Sequence, residues 1–198
     1  MPKTRKHQAK AEYLLDKGIE ALWCNGYNGT SVNDIVKAAG IPKGSFYFYF
    51  DSKEDFVAKA IDRYFGKMAA PIIEILQHKN FSAKQRLINF YEYKNRLMID
   101  TMKCKYGCMG SNLGNEMSDH SEMIRNRILM RENTIKQYII NVFLEAQQNK
   151  EINAAYDVAG MVDFIEDAAK GALITMKEKQ SAEPLDNFLS FVKELFLN

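Results

Sequence analysis

The sequence lacks the features of a membrane protein and of a disulfide-stabilised one. No apolar run approaches the roughly 20 residues that a membrane-spanning helix needs, and the N-terminus is basic and polar with no apolar stretch behind it. Three cysteines in 198 residues are few and odd in number, which argues against a disulfide framework. We therefore expect a cytoplasmic protein with reduced thiols and no membrane contact.

The net charge and the positions of the histidines argue against two further classes of protein, polycationic nucleic-acid binders and enzymes. The net charge of +2 is too small for a histone-like polycation, so any contact with nucleic acid must be local. The first 50 residues carry seven basic and four acidic side chains, and the rest is close to balanced. His7, His78 and His120 are scattered, and no nucleophile, base and orienting residue can be grouped. We expect no enzyme activity and no bound cofactor.

The chain does contain apolar residues at helical spacing along its whole length. From about Phe81 to the C-terminus there is no strand-like alternation and no long linker rich in glycine and serine, so the sequence predicts an all-α protein. Pro71 should kink or break the fourth helix. The predicted helices cover about residues 5–26, 31–39, 43–50, 51–71, 83–102, 107–117, 119–148, 155–177 and 184–197.

Residues 31–50 have the pattern of a helix-turn-helix. Ser31 can cap a helix, with Asp34 three residues later in a variant of the capping box. Gly40 stands where a left-handed residue ends that helix, and Pro42 stands at the start of the next one. The turn is about three residues long, as in helix pairs that bind DNA. The sequence therefore predicts a DNA-binding helix pair, covered by the helix that precedes it.

The second helix of this pair is unusually aromatic for an exposed element. Phe46 and Phe50, four residues apart, can pack on the first helix, which leaves Tyr47 and Phe48 pointing outward. Gly44 permits close approach of the backbone, and neighbouring hydroxyl and ammonium groups can donate to phosphate oxygens. Residues 1–6 add a basic arm, which is either a solvated tail or an arm that enters a DNA groove.

The stretch from Thr30 to Glu54 resembles the DNA-binding domain of the tetracycline-repressor family of bacterial regulators. The resemblance covers about residues 5–65. It implies a helix-turn-helix domain at residues 1–52, a helical sensor and dimerisation domain at 53–198, and double-stranded operator DNA as partner. Phe48 departs from the family pattern, since many relatives have histidine there, so the operator sequence cannot be borrowed from them. The candidate DNA contacts are Thr30, Ser31, Lys43, Gly44, Ser45, Tyr47, Phe48, Tyr49 and Lys53.

The last two predicted helices, at about 155–197, carry broad apolar stripes. Small residues between Ala168 and Ala172 allow close approach of helices. We expect a homodimer joined by four helices, because two-fold operators require paired reading helices. The alternative is that these faces close a core within one chain.

The middle of the chain is rich in methionine and aromatic residues, which could line a deformable apolar pocket for a small hydrophobic inducer. The alternative is that they form an ordinary core. The candidate lining residues are Tyr91, Met98, Met102, Met117 and Met123.

A second candidate sensor is the cysteine that follows Gly107. This glycine should break the preceding helix and place Cys108 near the N-terminus of the next, where the helix dipole and nearby lysines lower the pKa of a thiol. A thiolate there would react with electrophiles or oxidants. Cys104 could pair with it if their Cα atoms lie within about 7 Å. These cysteines and His120 could supply three metal ligands, but no fourth is visible, so we expect no metal site. We expect Cys24 to be buried.

The C-terminal part is similar to the subgroup of the family that contains the N-ethylmaleimide and reactive-chlorine responsive repressor. The matching segments are Gly107-Cys108, Asn115 to Asp119, and Lys170 to Leu185. The resemblance implies that Cys108 is a redox switch and that Lys177 bonds to it on oxidation. The alternative is an inert Cys108 beside a pocket that binds its ligand reversibly.

Overall fold

The computed structural model describes residues 5–197, with side chains from His7 onward. This range contains nine α-helices and no β-strand, which confirms the all-α prediction. Within it, no helix is both long and apolar enough to cross a bilayer. The basic arm predicted for residues 1–6 lies outside the described side chains. The helices are α1 (Arg5–Asn25), α2 (Val32–Ala38), α3 (Phe46–Tyr49), α4 (Lys53–Gln77), α5 (Ala83–Arg96), α6 (Met109–Met117), α7 (Glu122–Gln148), α8 (Val158–Lys179) and α9 (Glu183–Phe196).

The structure corrects three predicted helix boundaries. α4 does not end at Pro71 but continues to Gln77, because the loss of one backbone hydrogen bond is offset by burial of Ile72 and Leu76 in the next turns. The second helix of the predicted helix-turn-helix begins as a 3-10 turn, Lys43–Ser45, and becomes α-helical only at Phe46. α5 ends at Arg96 and is followed by a π-helical turn, Leu97–Thr101.

The described chain forms two compact units. Unit 1 holds residues 5–67 and 109–131, and unit 2 holds residues 68–108 and 132–197. This division is discontinuous in sequence, unlike the single boundary that we predicted after residue 52. The difference arises because α6 and the first turns of α7 pack with the N-terminal helices.

The core of unit 1 joins α1, α2, α3 and the first half of α4. Gly18 allows α1 to approach α4 closely, since a Cβ at this position would lie 2.3 Å from the Phe56 ring. Ion pairs add to this packing: Asp16 on α1 contacts Arg63 and Lys67 on α4. The core side chains are Leu14, Leu22, Ile35, Phe46, Phe50, Phe56 and Ile61.

Unit 2 has a main core and a smaller apolar cluster. The main core contains buried residues of α4, α5, α7, α8 and α9, among them Phe90, Tyr91 and Phe143. The smaller cluster contains Met98, Cys104, Met176 and Leu185.

Candidate DNA-binding and sensor sites

The start of α2 is held by a capping box, as predicted. Ser31 Oγ accepts from the Asp34 backbone N–H at 3.2 Å, and the Asp34 carboxylate accepts from the Ser31 N–H at 2.8 Å. The side-chain hydrogen bond from Ser31 lowers the pKa of Asp34. Gly40 follows α2 with φ of 65°, the left-handed conformation that the sequence predicted. These contacts fix both ends of α2 and so the direction in which α3 leaves it.

α3 divides its aromatic side chains between the core and the surface. Phe46 and Phe50 are buried, with ring centroids 5.2 Å apart, and both contact Phe56. Tyr47 is 57% exposed and Phe48 is 70% exposed, so the predicted orientation of this helix is confirmed. The result is an exposed aromatic surface on a helix that the core holds in place.

The turn before α3 adds a polar, open edge to this surface. Lys43 and Gly44 are exposed, and Ser45 and Tyr49 are half-buried. A Cβ on Gly44 would meet no described atom within 4 Å, so this glycine faces open space. A phosphate or base edge can therefore approach the backbone here.

Thr30 and Lys53, two of the predicted DNA contacts, interact with other residues of unit 1. Thr30 is fully buried and its hydroxyl donates to the Ala21 carbonyl at 3.2 Å, so its side chain stabilises the fold of unit 1, and its contact with DNA stays a prediction. Lys53 Nζ lies 4.0 Å from the Tyr27 ring centroid, a cation-π contact. Burial lowers the pKa of Lys53, although the charges of Glu116 and Asp34 raise it.

His7 on α1 contacts Phe48 and Tyr49 of α3, which the sequence did not predict. Its Nε2 lies 3.3 Å from the Phe48 carbonyl oxygen. Its ring centroid is 5.1 Å from that of Phe48 and 4.8 Å from that of Tyr49. α1 therefore contacts α3 at the position where this chain departs from the family pattern.

Glu116 is the second residue that sequence reasoning missed. It lies near the end of α6, and its carboxylate accepts from the backbone N–H groups of Tyr27 and Asn28, both at 2.7 Å. Gly26 makes this approach possible, because a Cβ there would lie 2.5 Å from Glu116 Oε2 and because its φ is 73°. The segment Asn115 to Asp119 matched the subgroup, but nothing in its spacing indicated a contact with the turn between α1 and α2.

Further contacts tie α7 and the residue before it, Ser121, to α4 within unit 1. The Ser121 hydroxyl donates to Glu54 in the first turn of α4. Arg127 and Arg131 both donate to Asp62, at 3.1 and 2.8 Å. The loop between α1 and α2 and the start of α4, which flank the helix-turn-helix, are thus both bound by the segment that begins with α6.

The cysteines occupy three different environments. Cys108 is half-buried and immediately precedes α6, after Gly107 with φ of 65°, as predicted. Cys104 is buried in the smaller apolar cluster of unit 2. Cys24 is exposed, which corrects our expectation that it is buried. All three, which lie in the described range, are thiols.

Two lysines on α8, Lys177 and Lys170, are relevant to the hypothesis that Cys108 is a redox switch. Lys177 is exposed in the last turn of α8, and its bond to an oxidised Cys108 stays a prediction. Lys170 is half-buried and donates to Glu132 at 2.9 Å. Burial lowers the pKa of Lys170, but the hydrogen bond to Glu132 and the charges of Glu132, Asp167 and Cys108 raise it overall. Sequence reasoning assigned no role to Lys170.

The five predicted pocket residues lie in different environments, and a pocket that they line stays a prediction. Tyr91 is buried in the main core of unit 2. Met98 and Met102 belong to the smaller cluster of that unit, with Cys104. Met117 is buried in unit 1, whereas Met123 is 47% exposed there. Within the described residues, no three His, Cys, Asp or Glu side chains are grouped as metal ligands.

The last two helices expose large apolar side chains. Phe164 on α8 is 63% exposed, and Phe191 on α9 is 59% exposed. Ile174 and Leu195 are 44% and 53% exposed, and a Cβ on Gly171 would meet no described atom within 4 Å. We call these five residues the α8–α9 apolar face. An exposed face of this kind indicates an interaction surface.

Comparison with known proteins covers both ends of the chain. Residues 14–60 match the family described as bacterial regulatory proteins, tetR family, and residues 83–192 match the tetracyclin repressor-like C-terminal domain. The transcriptional repressor DhaR of Mycobacterium sp. strain GP1 is 31% identical over 187 residues, which span 94% of this chain and 91% of DhaR.

Two solved structures cover nearly the same length. A regulatory protein TetR from Rhodobacter sphaeroides has a TM-score of 0.86 at 28% identity, over 93% of this chain and 97% of that one. The reduced form of Escherichia coli NemR has a TM-score of 0.82 at 26% identity, over 94% and 97% of the two chains. The sequence of that repressor is 25% identical over 98% of this chain. The similarity that we noted to this subgroup is confirmed.

Proposed function

This chain belongs to the tetR family of bacterial transcriptional regulators, and we propose that it is a homodimeric repressor that an inducer releases from operator DNA. The observation that carries the proposal is the exposed aromatic surface of α3. Tyr47 and Phe48 are exposed while Phe46 and Phe50 are buried, so the core holds the surface rigidly. Rigid presentation reduces the entropy that binding would otherwise cost.

Two copies of α3 are needed to contact a two-fold operator. The α8–α9 apolar face supports pairing, because exposed aromatic and aliphatic side chains on two neighbouring helices can be buried against the same helices of a second copy. We propose that this face, within residues 155–197, is the dimer interface. The relatives are transcriptional regulators, and we propose no enzymatic activity; the protein would act in the cytoplasm, where its DNA is.

For the inducer, we propose modification of Cys108 by an electrophile or oxidant. Support comes from the half-buried position of Cys108 directly before α6 and from the similarity to NemR. Glu116 lies in α6 and accepts hydrogen bonds from the turn between α1 and α2. A displacement of the start of α6 can therefore change the position of this turn beside the helix-turn-helix. The alternative proposal is a repressor that binds a hydrophobic ligand reversibly, with Cys108 only structural.

The DNA-binding proposal is tested with a duplex selected from a random library by the wild-type protein. Lys43→Ala and Tyr47→Ala should weaken binding in fluorescence anisotropy, and Lys43→Ala should reduce the slope of log K against log salt by about 1. Lys105→Ala, an exposed lysine outside the helix-turn-helix, is the matched control and should change neither quantity. An unchanged affinity and slope for Lys43→Ala would remove this residue from the contact surface.

The Cys108 proposal is tested in a Cys24→Ser background, because Cys24 is exposed and will itself react. N-ethylmaleimide or hypochlorite should release the duplex from this protein but not after Cys108→Ser is added. Cys104→Ser and Lys177→Ala separate the two possible partners of an oxidised Cys108. If the Cys108→Ser protein is released equally well, the reversible-ligand alternative is favoured.

A further inference from the structure

The exposed surface of α3 holds one large side chain that cannot form a hydrogen bond with DNA. Phe48 is 70% exposed, the highest value among the large apolar side chains of the described residues. The other exposed or half-buried side chains of residues 43–49 carry donors for phosphate oxygens or base edges. Phe48 therefore needs an apolar group of the duplex as its partner, or it gains nothing when DNA binds.

Two neighbouring rings hold Phe48 in place while most of its surface stays open. The ring centroid of His7 on α1 lies 5.1 Å from that of Phe48, at an interplanar angle of 56°. The Tyr49 ring meets the Phe48 ring edge-on, at 5.3 Å and 88°. His7 Nε2 also lies 3.3 Å from the Phe48 carbonyl oxygen, so α1 restrains both the ring and the backbone. A restrained ring loses little side-chain entropy when it makes a contact.

The duplex offers one apolar group that suits this ring. The second helix of a helix-turn-helix enters the major groove. Every base pair presents hydrogen-bonding atoms there, and thymine alone adds a methyl group, which phenylalanine is among the side chains able to contact. The polar groups of the other bases would lose hydration against the Phe48 ring without a compensating hydrogen bond. The chemistry of Phe48 therefore favours thymine.

We propose that Phe48 contacts the methyl group of a thymine in each half of the operator, and that His7 is the positioning residue for its ring. The inference rests on the proposed function, because it names a base that this regulator selects. It commits to direct contact with a base edge in the major groove. A Phe48 ring that entered between base pairs as a wedge, or lay along a sugar, would not distinguish thymine from uracil.

The test removes the methyl group and leaves the protein unchanged. Each thymine of the selected duplex is replaced in turn, at symmetric positions of the two half-sites, by deoxyuridine, which pairs in the same way but lacks the methyl. One such pair of replacements should weaken wild-type binding in fluorescence anisotropy by about fifteenfold, because burial of one methyl group contributes a factor of about four and two are lost.

Variants assign the sensitive thymine to Phe48. Phe48→Ala should bind the thymine and uracil duplexes equally. His7→Ala should reduce the difference between the two duplexes without abolishing it, whereas a loss of stability alone would weaken both equally. Phe81→Ala is the matched control, because Phe81 is exposed, lies outside the helix-turn-helix and also contacts a histidine ring. This control should keep the full difference between the duplexes.

The outcomes separate this inference from the proposed function. If no replacement by deoxyuridine weakens the wild type, or if Phe48→Ala keeps the full difference at the sensitive position, the inference is overturned while operator binding stands. If Phe48→Ala binds too weakly to measure, Phe48→Leu, which keeps a smaller apolar side chain, should show a reduced difference, and an undiminished one would overturn the inference. Failure of the wild type to select any duplex would overturn the proposed function and this inference with it.

Discussion

Replacing Glu116 by glutamine should weaken both the fold of unit 1 and the affinity for DNA. The Glu116 carboxylate uses one oxygen for the Tyr27 N–H and the other for the Asn28 N–H, both at 2.7 Å. Glutamine has one acceptor oxygen, and its amide N–H₂ would face the second backbone donor. One hydrogen bond is therefore lost, and a repulsive contact between donors replaces it.

The size of the effect follows from the kind of hydrogen bond. A hydrogen bond to a charged group contributes about 1.5–3 kcal/mol, and leaving a donor without an acceptor adds to the loss. Glu116 is half-buried and Asn28 is exposed, so water can replace part of the interaction. We expect a loss of about 2 kcal/mol, which lowers the melting temperature of a chain of this length by about 4–8 °C.

The assay compares Glu116→Gln with Glu122→Gln as a matched control. Glu122 lies exposed in the first turn of α7 and accepts a long hydrogen bond from Asn126 at 3.5 Å, so its replacement should cost less than about 0.5 kcal/mol. Urea unfolding gives the stability, and anisotropy with the selected duplex gives the affinity. Glu116→Gln should be the weaker binder of the two. If both variants match the wild type in stability and affinity, Glu116 does not hold the turn between α1 and α2.

Two further predictions concern ion pairs of the separate units. The hydrogen bond from Arg63, with help from Lys67, lowers the pKa of Asp16 from 3.8 to about 2, so the stability that it contributes is present above pH 4 and is lost as the pH falls through 2. After a discount for its partial exposure, Asp16→Asn should cost about 1 kcal/mol at pH 7 and only a small part of that at pH 2, as measured by urea unfolding across that range; a difference that is constant with pH would contradict the cause. In unit 2, the buried Arg86 donates to the Leu76 carbonyl and to Glu145, and Arg86→Ala should cost about 2–4 kcal/mol. A loss below about 1 kcal/mol in calorimetry would show that water replaces the guanidinium.

The helix-turn-helix could be predicted from sequence because its signals are local. Ser31 and Asp34 are three residues apart, so their capping box can be recognised in the sequence. Gly40 adopts the left-handed conformation at the end of α2, which depends only on the adjoining residues of the chain. The four-residue spacing of Phe46 and Phe50 likewise determines which aromatic side chains of α3 are buried.

The remaining contacts could not be predicted because they join distant parts of the chain. Glu116 and Tyr27 are 89 positions apart, and the capping of a turn by a carboxylate leaves no periodic pattern. Lys94 and Glu166 are 72 positions apart and look like ordinary surface charges in the sequence. Thr30 belonged to a matching motif, yet its burial depends on how α1 packs. Composition and spacing indicate which residues carry chemistry, whereas tertiary packing decides which of them meet.

The most direct test of this account is the stoichiometry and footprint of the wild-type protein on its selected duplex. Sedimentation should give two chains on one site, and hydroxyl-radical cleavage should show two protected patches about 10 base pairs, or a multiple of that helical turn, apart. Tyr47→Ala should lose both patches together. A single chain on the duplex, or a footprint that Tyr47→Ala leaves intact, would contradict the claim that α3 of a paired molecule binds operator DNA.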